Sequence, residues 1–139
     1  MGRWKNLNSF PKCTWQSSSL TTQFEGTSIV ATFSGGTENQ DFRVVIDDDA
    51  ANAKRLTIEA EKKSYILAEN LTNEIHKVEL IKETYNGKGV TTFYGFTISG
   101  KGIIEWKPKK PQIKLLFYGD SNMDGTSLES EKNSGVNGA

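Results

Sequence analysis

Four groups of side chains in this sequence could do chemistry. The first is Gly119-Asp120-Ser121, delivered by the apolar run Leu115-Leu116-Phe117-Tyr118. A serine in the tight turn after a buried strand, with a glycine permitting the backbone geometry, is placed as a hydrolase nucleophile would be. The spacing differs from the Gly-x-Ser-x-Gly elbow, and Gly-Asp-Ser is also common in ordinary turns, where the aspartate caps its own backbone. A hydroxyl nucleophile needs a base and an oxyanion hole, and the sequence stops soon after this turn, at Ala139.

His76 is the only histidine and so the only imidazole base. Its place inside a strong strand pattern, about 45 residues before Ser121, favours a ring packed on a sheet and bonded to backbone carbonyls. Asp47-Asp48-Asp49 could contribute to a calcium site, but hard cations draw six or more oxygens from several segments. A solvated turn is the favoured reading. Trp4, Trp15 and Trp106, with Tyr65, Tyr85 and Tyr94, could stack on the apolar faces of sugars, with core burial as the alternative. Trp4 and Trp15 lie outside the clear strand pattern and are the two candidate carbohydrate-binding residues.

Composition narrows the functional classes. Lys+Arg 17 balance Asp+Glu 17, so the basic excess that supports phosphate-backbone binding is missing, and nucleic acid is not an expected partner. One cysteine, Cys13, allows no intrachain disulfide, and one histidine allows no His-rich metal site; neither metal nor cofactor is expected. Met1 leads into Gly2-Arg3-Trp4 with no apolar segment, so no signal peptide or membrane span is visible. The compartment stays open. At 139 residues, with seven Phe, four Tyr and three Trp, the chain suits one compact domain and the beginning of a second.

The elements that must position these groups read as β throughout from about Leu20 to about Ile104, with apolar alternation broken by Gly, Asn, Asp and Ser clusters and no amphipathic helix. Strands are expected at Ser28–Phe33, Asp41–Ile46, Arg55–Ile58, Ser64–Leu67, Glu74–Thr84 and Val90–Ile98. In the fifth, Ile75, Lys77, Glu79, Ile81 and Glu83 share one face, with His76, Val78 and Leu80 on the other. Asn86-Gly87 predicts a type I′ hairpin between the last two strands. Gly95 suggests a bulge or close packing. Lys107-Pro108-Lys109-Lys110-Pro111 reads as an extended linker. Residues 113–118 beyond it form a near-continuous apolar strand of the kind buried in parallel sheets.

Read in order, these pieces resemble carbohydrate esterase family 2, in which a jelly-roll β-sandwich precedes an SGNH (GDSL) hydrolase domain. Gly2-Arg3-Trp4 is similar to that family's opening Gly-Arg-aromatic, and Phe24-Glu25-Gly26-Thr27-Ser28 to its Phe-x-Gly-Thr-Ser. Ile46-Asp47 resembles its Ile-Asp-Gly, with Asp48 where the family usually has glycine. His76-Lys77-Val78-Glu79-Leu80-Ile81-Lys82-Glu83-Thr84 is similar to its His-x-Val-x-Leu-x-Lys-x-Thr strand, and Phe93-Tyr94-Gly95-Phe96 to its Phe-x-Gly-Phe. Phe117-Tyr118-Gly119-Asp120-Ser121 resembles the first SGNH block, from which Asn122-Met123-Asp124 departs.

The resemblance implies an all-β jelly-roll sandwich over residues 2–110, followed over residues 111–139 by a linker and the first strand and turn of a truncated SGNH α/β domain. It implies the N-terminal portion of an esterase acting on acetylated polysaccharide or oligosaccharide. Ser121 would be the nucleophile and a backbone oxyanion donor, with Gly119 and Asp120 in the same block. The family's remaining oxyanion donors and its catalytic histidine sit in later blocks, and His76 matches a sandwich strand. The fragment by itself is therefore expected to be inert. The resemblance also suggests a secreted protein. The rival reading is an autonomous carbohydrate-binding or domain-packing module without catalysis, and a third is an adhesion domain. The strand at residues 113–118 should pair with a sandwich edge or invite a second chain.

Overall fold

The computed structural model describes residues 4–7, 10–84, 89–105 and 107. Eight strands are present among them: β1 (Lys5–Leu7), β2 (Phe10–Cys13), β3 (Ser19–Ser34), β4 (Gln40–Ile46), β5 (Lys54–Ile58), β6 (Lys63–Ala68), β7 (Glu74–Lys82) and β8 (Thr91–Ile104). The helical element among these residues is a single 3-10 turn, Ala50–Asn52.

Every pairing is antiparallel, and the long strands β3 and β8 organise the rest. The first half of β3 pairs with β7, which pairs with β4, which pairs with β5. The second half of β3 pairs with β6, and β8 runs along β3 from Gln23 to Ser34 and carries β2 and β1 at its far end. One ladder thus supplies both layers of a β-sandwich of jelly-roll type, because the β3–β8 pair belongs to each.

The bend between the layers is written into β3. Thr22, Phe24 and Gly26 are buried in its first half, then Ile29, Ala31 and Phe33 in its second. The buried positions change from even to odd, which an unbroken pleat of period two cannot do. The register shifts where the phase changes, between Glu25 and Gly26 and again between Gly26 and Ser28. Gly26 and Gly100 meet at this point: a Cβ on Gly100 would lie 2.4 Å from the Gly26 Cα, and Gly100 has φ +148°. Bulges raise local twist and turn a strand out of its plane. For this reason β3 is one strand of sixteen residues starting at Ser19, where a strand starting at Ser28 was expected.

Phe33 from one layer meets Phe42 of β4 from the other, with ring centroids 5.8 Å apart. Phe24, Ile29, Ile58, Val78 and Leu80 complete a fully buried centre. Strand β7 has the expected faces: His76, Val78, Leu80 and Lys82 point inward, and Ile75 points to solvent.

The expected hairpin between β7 and β8 does not form. The two strands lie on opposite sides of β3 and do not pair with each other. A turn preference is local, whereas strand pairing is fixed by register and by which face must be buried. Residues 85–88, which hold Asn86-Gly87, lie outside the described residues. At Gly95 the bulge is present, since Thr32 pairs with Gly95 and Phe33 with Phe93, leaving Tyr94 as the extra residue. Close packing is not its cause, because a Cβ on Gly95 would meet nothing within 4 Å.

Candidate functional site

Gly119, Asp120 and Ser121, the strand at residues 113–118 and Trp106 lie outside the described residues. Of the two tryptophans nominated for sugar binding, Trp4 packs against the core from the chain's start, and its indole N–H is buried without an acceptor among the described residues. Trp15 sits between β2 and β3 with 46% of its surface exposed. Its ring is the more accessible to a ligand.

His76 and the three aspartates come together where β4 ends beside the start of β7. The chain turns through Asp47 (φ +52°) and Asp48 (φ +62°), and the Asp49 N–H closes the turn on the Ile46 carbonyl at 3.0 Å. Two consecutive residues with positive φ make a type I′ geometry, which favours Asn-Gly or Asp-Gly. This explains physically why glycine suits position 48. Asp47 then reaches across to β7: its Oδ1 accepts the Lys77 N–H at 2.8 Å and its Oδ2 accepts His76 Nδ1 at 2.8 Å.

The other ring nitrogen of His76, Nε2, lies 2.9 Å from the Thr72 carbonyl oxygen. A carbonyl only accepts, and so does a carboxylate, so these surroundings favour the doubly protonated ring. Burial alone would lower the His76 pKa. The Asp47 bond, the Thr72 carbonyl and the charges of Asp47 and Glu74 outweigh it and raise it above the ordinary value. With both ring nitrogens engaged, His76 ties two strands and a loop together. This is the structural role that its strand position suggested.

The aspartates are likewise occupied. Asp48 pairs with the Lys77 ammonium. Asp49 caps the 3-10 turn, accepting the Asn52 N–H at 3.2 Å and the Asn52 side-chain amide at 2.7 Å, and these bonds hold its carboxyl below the usual range. Among the described residues no cluster of His, Cys, Asp and Glu could hold a metal ion.

Beside this turn, the mouth of the sandwich opens into a groove of about 430 Å³ between β4, the 3-10 turn and β6. Its floor is apolar, with Val44, Ile46, Leu67 and Leu71, and Asn52, Lys54 and Glu69 stand among its polar lining. The volume suits a small ligand, and the described lining has no hydroxyl, thiol, imidazole or aromatic ring.

A second polar constellation went unnoticed in the sequence. Lys82, only 1% exposed, points into the sandwich and donates from its ammonium to the Gln40 side-chain carbonyl, which is fully buried. The Phe42 ring lies 5.6 Å away. Burial lowers the Lys82 pKa to about 8, against the opposing influence of Cys13 and Asp41. Burial likewise pushes the nearby Cys13 thiol up to about 12, and the charge of Lys82 pulls against that rise. The available signal was parity: residue 82 follows 76, 78 and 80 on the inward face.

Comparison with known proteins identifies the fold's lineage. The profile of the family described as "Carbohydrate esterase 2 N-terminal" matches residues 1–108. The cellulase/esterase CelE of Acetivibrio thermocellus is 31% identical over 124 residues, covering 86% of this chain and 15% of CelE, so the chain spans a small part of that relative's length. A family two carbohydrate esterase from Clostridium thermocellum, solved with cellohexaose, superposes with TM-score 0.68 at 27% identity, covering 80% of this chain and 33% of that one. A family two carbohydrate esterase from Cellvibrio japonicus has the same fold, with TM-score 0.82 at 24% identity over 99% of this chain and 40% of that one. This chain therefore belongs to the carbohydrate esterase 2 N-terminal family.

Proposed function

We propose that this chain is the N-terminal sandwich and the first catalytic block of a longer carbohydrate esterase, one that removes acetyl groups from a polysaccharide or oligosaccharide. The observation that carries this reading is the family match over residues 1–108, standing directly before Gly119-Asp120-Ser121. The relatives point the same way: CelE is named a cellulase and esterase, and the Clostridium thermocellum enzyme was solved with a cello-oligosaccharide.

In the reaction proposed, the Ser121 hydroxyl attacks the acetyl carbonyl while a base takes its proton, and the Ser121 backbone N–H helps hold the oxyanion. The ester C–O bond breaks, the sugar hydroxyl leaves with a proton, and water releases acetate from the acyl-serine. The base must come from outside these 139 residues, since they hold one histidine and its two ring nitrogens are engaged. Without that base the Ser121 hydroxyl stays unactivated. The boundary proposed for the sandwich is residues 2–110, with 111–139 leading into the catalytic domain.

The test compares two proteins. The 139-residue chain should not hydrolyse acetylated xylan or 4-nitrophenyl acetate above background, whereas a protein continuing into a full SGNH domain should do so and lose turnover on Ser121→Ala. Hydrolysis by the 139-residue chain that Ser121→Ala abolishes would overturn the assignment of the base. A longer protein indifferent to Ser121→Ala would overturn the assignment of the nucleophile.

A further inference from the structure

The two outer faces of the sandwich differ in kind. On the face made by β4, β5, β7, the first half of β3 and the end of β8, charged side chains answer one another. Arg43 meets Glu83 at 2.6 Å, Arg55 meets Asp41 at 3.1 Å, and Lys101 meets Glu25 at 2.5 Å. The opposite sheet, from β6 across β3 to β8, is built from segments 28–34, 64–68 and 91–99. Past Lys63, the first residue of β6, which is ion-paired with Glu59, they contain no charged residue, in a chain that is 24% charged.

Hydroxyls stand where charges would. Thr32 and Ser64 lie with their oxygens 2.9 Å apart across the β3–β6 pair, and Ser34 meets the Tyr94 hydroxyl at 3.3 Å. Each such hydroxyl keeps capacity for a further partner. Aliphatic groups alternate with them: Val30 pairs with Ile66 on one side and Thr97 on the other, and Ile66 is 60% exposed. Gly95, opposite Thr32, leaves open space where a side chain would stand. At one end Phe10, 41% exposed, packs its ring 4.9 Å from that of Tyr94, and the Lys62 ammonium lies 4.3 Å over the Tyr94 ring.

With charge confined to its rim, at Lys62 and the Lys63–Glu59 ion pair, the face has little field to gather an acidic polymer or a nucleic acid. A protein-docking patch would be more continuously apolar. The match for alternating hydroxyl and aliphatic groups is a chain that alternates in the same way, and an uncharged sugar polymer does so, with hydroxyls at its ring edges and C–H groups on its ring faces. Phe10 supplies a flat ring on which one pyranose can lie. We propose that the outer face of the β6–β3–β8 sheet is a binding platform for a neutral polysaccharide chain. The choice of a polysaccharide rests on the carbohydrate-esterase reading, but binding is measured without ester hydrolysis, so the two proposals fail separately.

The experiment is native affinity electrophoresis of the 139-residue protein through gels carrying deacetylated glucomannan, with ¹⁵N chemical-shift mapping against cellohexaose. Retardation should be insensitive to added salt, and the perturbed amides should cluster at Thr32, Ser64, Gly95 and Thr97. Phe10→Ala and Thr97→Arg should each weaken binding about tenfold, or about 1.4 kcal/mol, while Thr21→Arg on the charged face should leave it unchanged. Thermal midpoints of the three variants report whether each is folded. No retardation of the folded wild-type chain, retention of binding in both folded variants, or shifts confined to the groove beside Asn52 would each overturn the proposal. So would binding only to polygalacturonate that salt abolishes, or concentration-dependent self-association through this face.

Discussion

Lys82 donates from its ammonium to the Gln40 side-chain carbonyl inside the sandwich, where neither residue has appreciable contact with solvent. The lysine's pKa lies at about 8 against an ordinary 10.5. From about pH 8 to about pH 10.5 the unfolded chain therefore binds more protons at this residue than the folded one, and stability rises with pH. Cys13 acts in the opposite sense. Its thiol, at about 12 against an ordinary 9.0, keeps its proton in the folded state while the unfolded state loses it, so stability falls between about pH 9 and about pH 12. Urea unfolding should show a rise from pH 8 to 9, a plateau, and a fall above about 10.5. Cys13→Ala should extend the rise, and Lys82→Met should remove it. A wild-type profile that falls steadily from pH 8 would contradict the lowered pKa of the buried Lys82.

The Asp47–His76 pair carries the opposite sign. A histidine whose folded pKa is raised above 6.5 contributes stability that is complete below that ordinary value and is lost as pH rises through the folded pKa. In Asp47→Asn the amide oxygen can still accept the Lys77 N–H, but the carboxylate charge is gone. The NMR titration midpoint of His76 should drop. Stability at pH 6 should fall by about 1.5–3 kcal/mol, the range for a hydrogen bond to a charged group. An unchanged midpoint would mean that Asp47 does not hold the imidazolium.

Asp48→Gly should stabilise the sandwich. A non-glycine residue at φ +62° bears a left-handed cost of about 1–2 kcal/mol. The ion pair given up with Lys77, half of which is well exposed, is worth roughly 0–1 kcal/mol. A net gain of about 1 kcal/mol should appear as a higher urea midpoint with unchanged slope. A lower midpoint would show that the ion pair outweighs the backbone.

Gly26→Ala should be among the most damaging single-methyl additions to this chain. The new Cβ would stand 2.3 Å from the Ser99 carbonyl oxygen, a contact with backbone that no rotamer relieves. A loss of roughly 3 kcal/mol or more is expected. Gly95→Ala, at φ +141° but with open space around the Cβ, carries backbone strain without collision, whereas Gly26 carries collision without a positive φ, and it should cost less. Equal losses in the two variants would refute the close crossing at Gly26 and Gly100.

Much of this arrangement is legible in the residues alone. Apolar alternation in Glu74–Thr84 assigns the two faces of β7, including the inward side of His76, because a strand has a period of two and one face must leave water. The ordered motifs, from Phe24-Glu25-Gly26 to Phe93-Tyr94-Gly95-Phe96, establish the family. Other features were decided only when distant segments met. Asn86-Gly87 encodes a local turn, yet β7 and β8 separate to opposite sides of β3, since pairing is fixed by register and by which face must be buried. The single strand Ser19–Ser34 reads as broken in the sequence because the alternation changes phase at Gly26, and only the close crossing with Gly100 shows that break to be a bend. The strand position of His76 already points to a structural ring, but its partners, the Asp47 carboxylate and the Thr72 carbonyl, come to either side of it only in the fold. Periodicity and motif are local properties that the sequence determines by itself. Partners from far along the chain, and the protonation states they impose, exist only in the tertiary structure.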